Sequence, residues 1–447
     1  MSSTQPARGT RDFLPADVRR RTHVIDVVRR VYERYGFEPL ETPAFENIET
    51  LTGKYGEEGA KLIFKILKRG EHESSGQADL ALRYDLTVPL ARVIAEYQST
   101  LPKFFRRYQI QPVWRADRPA RGRFREFYQC DIDAVGSTSP VVEVEVLSAV
   151  SEVLTTLGFD DFRIRLNDRR VLQALLATAG VAADRETDAL VALDKLDKIG
   201  PDGVAADMTA RGIDAAVAAA CLRLFASGAE GDAPAALASL AERLGDRRDA
   251  LATLETIVRL AEATPAAGRI RVDPSLARGL SYYTGAIMEI AVPDLAGSLG
   301  GGGRYDHLVG MFLGREVPAC GFSLGLERII VVMAERGMFP PDMASAPADV
   351  MVALWDDASR ADALALAGRL RRDGLGVDVY PEPDKPGKQF KYAAARHYPV
   401  VVLAGDDERR NGTVTVKNMR TATQVTVPLA DVAAAVREAR GSGNRVS

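Results

Sequence analysis

The sequence predicts a mixed α/β protein: an α+β core built on an antiparallel sheet, a helical insertion within this core, and a smaller C-terminal α/β domain. Three patterns support this fold class. Residues 104–136 alternate as two strands joined by a turn, which is the pattern of an antiparallel hairpin. Residues 170–265 are rich in alanine, poor in aromatic residues and helical in pattern. From residue 350 onward, short apolar strands alternate with helices, as in α/β domains.

The elements before the insertion can be predicted in order. A helix begins at Pro15 and ends at Gly36, because proline is favoured at the start of a helix and glycine just beyond its end. The stretch FEPLETPAFE (37–46) is expected to be extended, since proline is excluded from helix interiors. A second helix is predicted for 141–157 and a strand for RIRLND at 163–168.

After the insertion, the β-rich pattern resumes. It runs from RIRVDPSLARGLSYYTGAIMEIAV through a glycine cluster at 300–303 and ends with a helix at about 326–336. Residues 337–349 carry Pro, Ser and Ala without apolar periodicity, which predicts a linker. The predicted domains are therefore a core over residues 1–340, a helical insertion over 170–265 and a C-terminal domain over 348–447.

Composition narrows the possible functions. The chain has 447 residues, 46% of them apolar and 27% charged, and a net charge of −3, so nucleic-acid binding would depend on local basic patches. The three cysteines and four histidines are scattered, so we expect neither a disulfide framework nor structural zinc. No segment approaches the ~18 apolar residues that a membrane span needs, and the N-terminus lacks a signal-peptide core. We therefore expect a cytoplasmic protein with no membrane partner.

The stretch RADRPARGRFREF (115–127) places five arginines against two acids in one turn. It is either a solvated loop or a binding site for a polyanion, and the flanking strands favour the second interpretation. Strand alternation puts Gln129, Asp131 and Asp133 on one polar face, opposite Cys130 and Ile132. A pocket with this floor suits a substrate that carries both negative and positive groups, because arginines bind phosphate or carboxylate and the acids bind an ammonium group.

Four motifs give this pattern a family resemblance. WRADRPARGRFREF resembles motif 2 of the class II aminoacyl-tRNA synthetases, with Trp114 and Asp117 replacing the usual Phe and Glu. RGTRDFLP (8–15), RYDLTVPLAR (83–92) and ARGLSYYTG (277–285) together resemble the histidyl-tRNA synthetase family, particularly its eukaryote-like branch. The resemblance covers almost the whole chain in order. It implies motif 1 at about 18–46, motif 2 at about 106–136, motif 3 at about 317–336, and an anticodon-binding C-terminal domain.

The resemblance also implies roles for individual residues. Arg278 and Arg115 would be catalytic, offsetting the charge that develops as a histidine carboxylate attacks the α-phosphate of ATP. The residues implied to bind histidine are Asp85, Leu86, Thr87, Gln129, Asp133, Tyr282 and Tyr283, and those implied to bind ATP are Arg115, Arg123, Gly325 and Arg328. The sequence departs from the family pattern at Ser281, where Asp is common, so we expect altered surroundings for Tyr282 with activity retained. Mg²⁺ is implied as well, although the sequence assigns it no ligands.

The implied activity is that of a histidine–tRNA ligase. It would activate L-histidine with ATP to histidyl-adenylate and pyrophosphate, and then transfer histidine to the 3′ end of tRNA(His). Basic residues expected to contact the tRNA are Arg118, Arg121, Lys388, Lys391 and Arg420. Motif 1 implies a homodimer. The alternative is a synthetase-like regulatory subunit of ATP phosphoribosyltransferase; such proteins generally lack the C-terminal domain and the catalytic arginines, whereas this chain has both.

Overall fold

A computed structural model of the chain describes residues 4–52, 59, 61–70, 75–225, 232–277, 283–340, 343 and 347–441. The chain divides into two compact units, Met1–Phe339 and Pro340–Ser447. The division falls within the segment predicted to be a linker. No helix among the described residues has the length and apolar character needed to cross a membrane.

The first unit contains the following described strands: β1 Glu38–Pro39, β2 Phe45–Asn47, β3 Lys65–Leu67, β4 Ala78–Leu82, β5 Phe105–Trp114, β6 Glu126–Val135, β7 Arg163–Asp168, β8 Ile270–Val272, β9 Ala286–Ala291, β10 Gly300–Arg304 and β11 Ala319–Gly325. Its α-helices are α1 Pro15–Arg34, α2 Ile48–Leu51, α3 Thr87–Glu96, α4 Val141–Thr156, α5 Arg169–Ala179, α6 Glu186–Leu193, α7 Leu196–Ala210, α8 Ala215–Phe225, α9 Ala233–Leu244, α10 Ala252–Ala261, α11 Gly310–Leu313 and α12 Leu326–Glu335.

A large sheet organises this unit. Within the described residues its strands lie in the order β1-β5-β6-β11-β10-β9-β7-β8, and the neighbours from β5 to β7 are all antiparallel. A smaller sheet has the order β2-β4-β3. The mixed fold class and its antiparallel sheet confirm the sequence prediction.

The two faces of the central hairpin differ in chemistry. Tyr108 on β5 and Cys130 and Ile132 on β6 belong to the hydrophobic core, together with apolar side chains of α1 and α4. On the opposite face, Gln109 pairs in register with Asp131. Since side chains alternate along a strand, covering one face with helices leaves the polar face directed away from that core.

Helices α5 to α10 separate β7 from β8, which pair in parallel with Ile164 opposite Ile270. Asp168 is the N-cap of the first of these helices. Its carboxylate accepts a hydrogen bond of 2.9 Å from the Arg170 N–H and so satisfies a donor at the helix end. It ends at Gly180, which adopts a φ of 88° that disfavours other residues. The insertion is helical, as its composition predicts.

The second unit is built on a five-stranded sheet with the order β13-β12-β14-β15-β16. Its strands are β12 Val350–Val352, β13 Val377–Val379, β14 Val400–Leu403, β15 Thr413–Asn418 and β16 Gln424–Pro428, and its α-helices are α13 Arg360–Arg372, α14 Pro386–Ala395, α15 Asp406–Asn411 and α16 Val432–Arg440. Just beyond strand β12, the buried Gln389 amide exchanges hydrogen bonds with the Leu354 backbone in place of a strand neighbour.

Candidate active site

A cavity of about 460 Å³ lies against the polar face of the large sheet. The residues that line it include some from the start of α3 and the segment before it, the turn 115–125, strands β6, β10 and β11, and the start of α12. The predicted site residues among them are Asp85, Thr87, Arg115, Arg123, Gln129, Asp133, Tyr283, Gly325 and Arg328. The fold thus brings segments separated by more than two hundred residues to one cavity.

Among the described residues, not every one that the sequence predicts for the site lines the cavity. Leu86 is fully buried and does not line the cavity, although its carbonyl accepts a hydrogen bond of 3.1 Å from Arg107 Nη2. Arg278 and Tyr282 lie outside the residues that the structure describes, as does Ser281. On the turn, Arg118 is exposed, whereas Arg121 forms an ion pair with Glu335 on α12.

Arg115 is held in place by its own surroundings. Its Nε donates a hydrogen bond of 3.0 Å to the Tyr84 carbonyl. The guanidinium carbon lies 4.3 Å from the centre of the Tyr84 ring and 5.2 Å from that of Phe127, within the range of cation–π contact. Across the cavity, Arg328 donates to the Ser298 carbonyl. Two lining arginines are therefore anchored through backbone carbonyls while their charge is retained.

The acidic part of the floor contains a buried charge cluster. Arg107 Nη2 lies 2.9 Å from Asp133 Oδ2 and 3.8 Å from Asp131 Oδ2. The Tyr305 hydroxyl donates a hydrogen bond to Asp133 Oδ1, and Gln129 Nε2 donates one of 2.7 Å to the Ser323 hydroxyl. Sequence reasoning missed Arg107 and Tyr305. Extending the strand alternation two residues back from Gln109 would have placed Arg107 on the polar face, whereas alternation within the hairpin gives no information on Tyr305, which follows β10.

The carboxylates of this cluster are poised to accept a cation. Burial raises the pKa of the Asp131 carboxyl to about 7, and the charge of Arg107 opposes this shift. Burial also raises the pKa of Asp133, against the effects of Arg107 and of the hydrogen bond from Tyr305. Since two carboxylates face one buried guanidinium, the ionised cluster has a net charge of −1. A bound ammonium group would neutralise it.

Some of the buried acceptors in this floor lack a hydrogen-bond partner. Among the described residues, Gln129 Oε1 and Asp131 Oδ1 are buried and have no hydrogen-bond partner. Buried acceptors are normally satisfied, and leaving one unsatisfied costs about 1–3 kcal/mol. A ligand that donates N–H groups at this position would remove the cost. The residues therefore fit an amino acid's ammonium group.

Gly321 makes room for this arrangement. It pairs with Asp133 across β11 and β6, and a Cβ atom at this position would lie 1.8 Å from Asp133 Oδ1. On β10, a Cβ atom at Gly303 would lie 3.0 Å from Cδ1 of Tyr283. These glycines let the acid and the aromatic ring lie flat against the sheet.

The basic residues predicted in the second unit lie at its surface. Lys388, Lys391 and Arg420 are exposed. Lys388 pairs with Asp384 at 2.8 Å, and Arg420 donates to the Arg440 carbonyl. Tyr392 lies among these charges in the chain, and its half-buried ring has the Arg396 guanidinium 5.8 Å from its centre. The same ring also packs against Tyr380 and Tyr398, at centroid distances of 5.2 and 6.4 Å.

Comparison with known protein families gives two matches. Residues 9–329 match the family model described as histidyl-tRNA synthetase. Residues 349–439 match the model described as an anticodon binding domain. The two matched ranges correspond to the two compact units of the fold.

Individual relatives agree with these matches. A histidine–tRNA ligase of Flavobacterium johnsoniae is 41% identical over 94% of this chain and 96% of its own length. One from Leifsonia xyli is 45% identical over 74% of this chain and 80% of its own. Among solved structures, a histidyl-tRNA synthetase from Nostoc sp. PCC 7120 has a TM-score of 0.82 and 30% identity, and covers 98% of this chain and 100% of that chain.

Proposed function

This chain belongs to the histidyl-tRNA synthetase family, and on that premise we propose that it ligates L-histidine to tRNA(His) in two successive steps. In the first, the histidine carboxylate attacks the α-phosphorus of ATP, forming histidyl-adenylate and releasing pyrophosphate. In the second, a hydroxyl of the 3′-terminal ribose of the tRNA attacks the adenylate carbonyl and releases AMP. The protein is thus an ATP-dependent aminoacyl-tRNA synthetase.

The observation that carries this proposal is the division of the cavity into an acidic end and a basic end. Gln129 and Asp133, with Asp85 and Thr87, would bind the amino acid at the acidic end, where Tyr282 and Tyr283 would enclose its imidazole. Arg115, Arg123 and Arg328 would bind the phosphates, and Gly325 lets adenine approach the backbone. Arg278 would act with Arg115 on the α-phosphate. Guanidinium groups that are already fixed in place need no reorganisation to stabilise the charge that develops in the transition state.

Magnesium would accompany the nucleotide. The carboxylates of Asp117 and Glu327 line the cavity, but Glu327 already pairs with Arg21 at 2.8 Å. No group of three or more metal-binding side chains occurs among the described residues. This is compatible with Mg²⁺, which retains waters and binds through substrate phosphates with one or two carboxylates. The ion would neutralise phosphate charge, and the arginines would orient the triphosphate.

The tRNA would be held by exposed basic residues of both units. Arg118 and Arg121 lie on the turn beside the cavity, and Lys388, Lys391 and Arg420 belong to the unit that matches the anticodon-binding model. The basic residues would supply the phosphate contacts that a protein of net charge −3 cannot supply globally. We place the activity in the cytoplasm, where tRNA charging takes place.

We also propose that the protein is a homodimer formed through motif 1. An apolar groove beside this motif is lined by Leu40, Pro43, Phe45, Tyr97 and Leu101. Phe45 and Tyr97 are 51% and 53% exposed in the single chain, and a second copy would cover them. Sedimentation equilibrium should give a dimer mass, and an active monomer would contradict this assignment.

The regulatory-subunit alternative has less support. A solved structure described as an ATP phosphoribosyltransferase regulatory subunit/histidyl-tRNA synthetase from Bacillus halodurans shares the fold, with a TM-score of 0.74, but only 21% identity. By contrast, the full-length relatives at about 40% identity are histidine–tRNA ligases. The retained Arg115 and Arg328 and the second unit favour the enzyme.

Histidine-dependent exchange of pyrophosphate into ATP tests the proposal directly. The assay is run with each of the common amino acids, and we expect exchange with histidine alone. Arg115→Ala should reduce the exchange rate by about a hundredfold or more, as removal of a transition-state donor does. Arg247→Ala, at an exposed position in the insertion, is the matched control and should leave the rate unchanged. Absence of exchange in the unmodified protein would contradict the proposed function.

A further inference from the structure

The N-terminal segment lies directly against the arginine turn. The Arg125 N–H donates a hydrogen bond of 2.8 Å to the Gly9 carbonyl, and the Arg115 N–H in turn donates one of 2.9 Å to the Arg125 carbonyl. Gly9 has a φ of 87°, and a Cβ atom there would lie 2.8 Å from Cγ of Arg125. Backbone hydrogen bonds therefore link Gly9, through Arg125, to Arg115 at the basic end of the cavity.

Beyond Gly9, the side chains form an alternating stack of arginine and aromatic groups. The Arg11 guanidinium lies 3.4 Å from the centre of the Phe124 ring and 4.9 Å from that of Phe13. The Arg21 guanidinium lies 4.1 Å from the Phe13 ring and 4.9 Å from the Tyr128 ring. The stack therefore runs Phe124–Arg11–Phe13–Arg21–Tyr128 and joins the turn, the N-terminal segment, α1 and β6.

The far end of the stack is fixed to the cavity wall. Arg21 Nη1 lies 2.8 Å from Glu327 Oε1, and Glu327 Oε2 accepts a hydrogen bond of 3.0 Å from the Tyr128 N–H. Glu327 is only 3% exposed. Phe124 and Glu327 both line the cavity, so the two ends of the stack contribute to the same wall.

We propose that Arg11 is a positioning residue for the nucleotide end of this cavity. By stacking on Phe124, it holds the turn so that the adjacent Arg123 faces the phosphates. This inference rests on the proposed function, since it assigns the cavity to ATP. It adds a residue that lies outside the three motifs of the class. A stacked guanidinium keeps its position because its planar face matches the ring, which an ammonium group does not reproduce.

The rival role for Arg11 is a phosphate contact with tRNA, because its side chain is also exposed. The two roles differ in the step that they affect. A positioning residue for ATP acts in pyrophosphate exchange, which needs no tRNA. A tRNA contact acts only in the transfer of histidine to tRNA.

The test is steady-state pyrophosphate exchange with Arg11→Ala in the full chain. We expect the KM for ATP to rise about two- to thirtyfold, the range that corresponds to a cation–π contact of about 0.5–2 kcal/mol. The KM for histidine, kcat and the melting temperature should change little, because Arg11 is at the surface and its described ring contacts are with Phe13 and Phe124. Arg8→Ala is the matched control: Arg8 is exposed in the same segment, and its described contact with Arg125 is made through its backbone carbonyl.

Two further variants test whether loss of the stack on Phe124 causes the rise in the KM for ATP. Arg11→Lys should restore only a small part of the ATP affinity, because charge alone does not replace the stack. In a Phe124→Leu background, Arg11→Ala should raise the KM for ATP by less than twofold, since the stacking partner is already gone. An unchanged KM for ATP, full rescue by lysine, or an equal loss of histidine and ATP affinity would overturn the inference. If the unmodified protein shows no exchange, the proposed function fails instead.

Discussion

Arg107 and Asp133 face each other across β5 and β6, with 2.9 Å between Arg107 Nη2 and Asp133 Oδ2 and side chains that are 0% and 3% exposed. Asp131 lies at 3.8 Å from the same nitrogen. Two buried carboxylates share the one fixed positive charge of Arg107, so the cluster can bind a second positively charged group. This relationship explains how a buried acidic floor can exist without a ligand and still bind a cation.

Arg107→Met should destabilise the protein strongly. Removing the arginine leaves two buried carboxylates without their counter-charge, and breaking a buried ion pair in this way costs about 3–5 kcal/mol. The free energy of unfolding is measured by urea denaturation. The double variant Arg107→Met/Asp133→Asn should be more stable than Arg107→Met alone, because it removes one uncompensated charge. Equal stability of the two variants would contradict the assigned pairing.

Histidine binding should depend on the ionisation of Asp131. Because burial raises the pKa of Asp131 to about 7 in the ligand-free protein, the carboxyl is protonated below that pH and ionised above it. An ammonium group binds the ionised form, so affinity should fall as the pH decreases through about 7, with release of a proton on binding. Calorimetry in buffers of different ionisation enthalpy measures this release.

The imidazole of free histidine also titrates near this pH, with a pKa of about 6.5. Asp131→Asn therefore serves as the control, since it keeps the ligand's own titration and removes that of the carboxyl. The difference in proton release between the unmodified protein and Asp131→Asn gives the contribution of the Asp131 carboxyl. Identical release would show that Asp131 does not titrate on binding.

Gly321→Ala should selectively weaken histidine binding. The added methyl group would lie 1.8 Å from Asp133 Oδ1, so the carboxylate must move from the cavity floor. We expect the KM for histidine to rise about tenfold or more and the KM for ATP to change far less, since a misplaced recognition group has effects of this order. Gly387→Ala, where a Cβ atom meets nothing within 4 Å, is the control. Equal changes in both KM values would indicate a general distortion of the sheet.

Affinity for tRNA should fall steeply with salt concentration, while the KM for histidine stays nearly constant. Lys391→Ala should reduce the slope of log K against log salt by about 1, the effect expected when one phosphate contact is lost. Lys388→Ala should have a smaller effect, because Asp384 already offsets part of its charge. Filter binding over a range of salt concentrations measures both slopes, and salt-independent affinity would exclude the phosphate contacts.

Strand alternation predicted the polar face of the hairpin correctly. It placed Gln129 and Asp133 together and opposite Cys130, because a period of two is a local property of an extended chain. It did not identify the partner of Asp133, since the residue that faces it depends on the register between two strands. Tyr305 was missed for a stronger reason: it follows β10, and its hydroxyl reaches Asp133 only after β11 pairs with both neighbours.

Charge patterns were less informative than strand patterns. The sequence predicts a tRNA contact for Arg121 and gives no partner for Arg11, but Arg121 pairs with Glu335 and Arg11 stacks on Phe124. A run of arginines in a sequence gives the amount of charge and not its partners. Tyr392 shows the same limit, because the chain gives its basic neighbours but not the aromatic rings of Tyr380 and Tyr398 that it also contacts.

By itself, the sequence determined the element types, the face on which each strand side chain lies and the family to which the motifs point. These follow from local periodicity and from short stretches with characteristic residue types. Only the tertiary structure decided which charges meet: Arg107 with two acids, Arg11 with an aromatic ring and Arg121 with a helix. Such contacts join separate segments of the chain. No local pattern encodes them, because they form only when those segments have folded against one another.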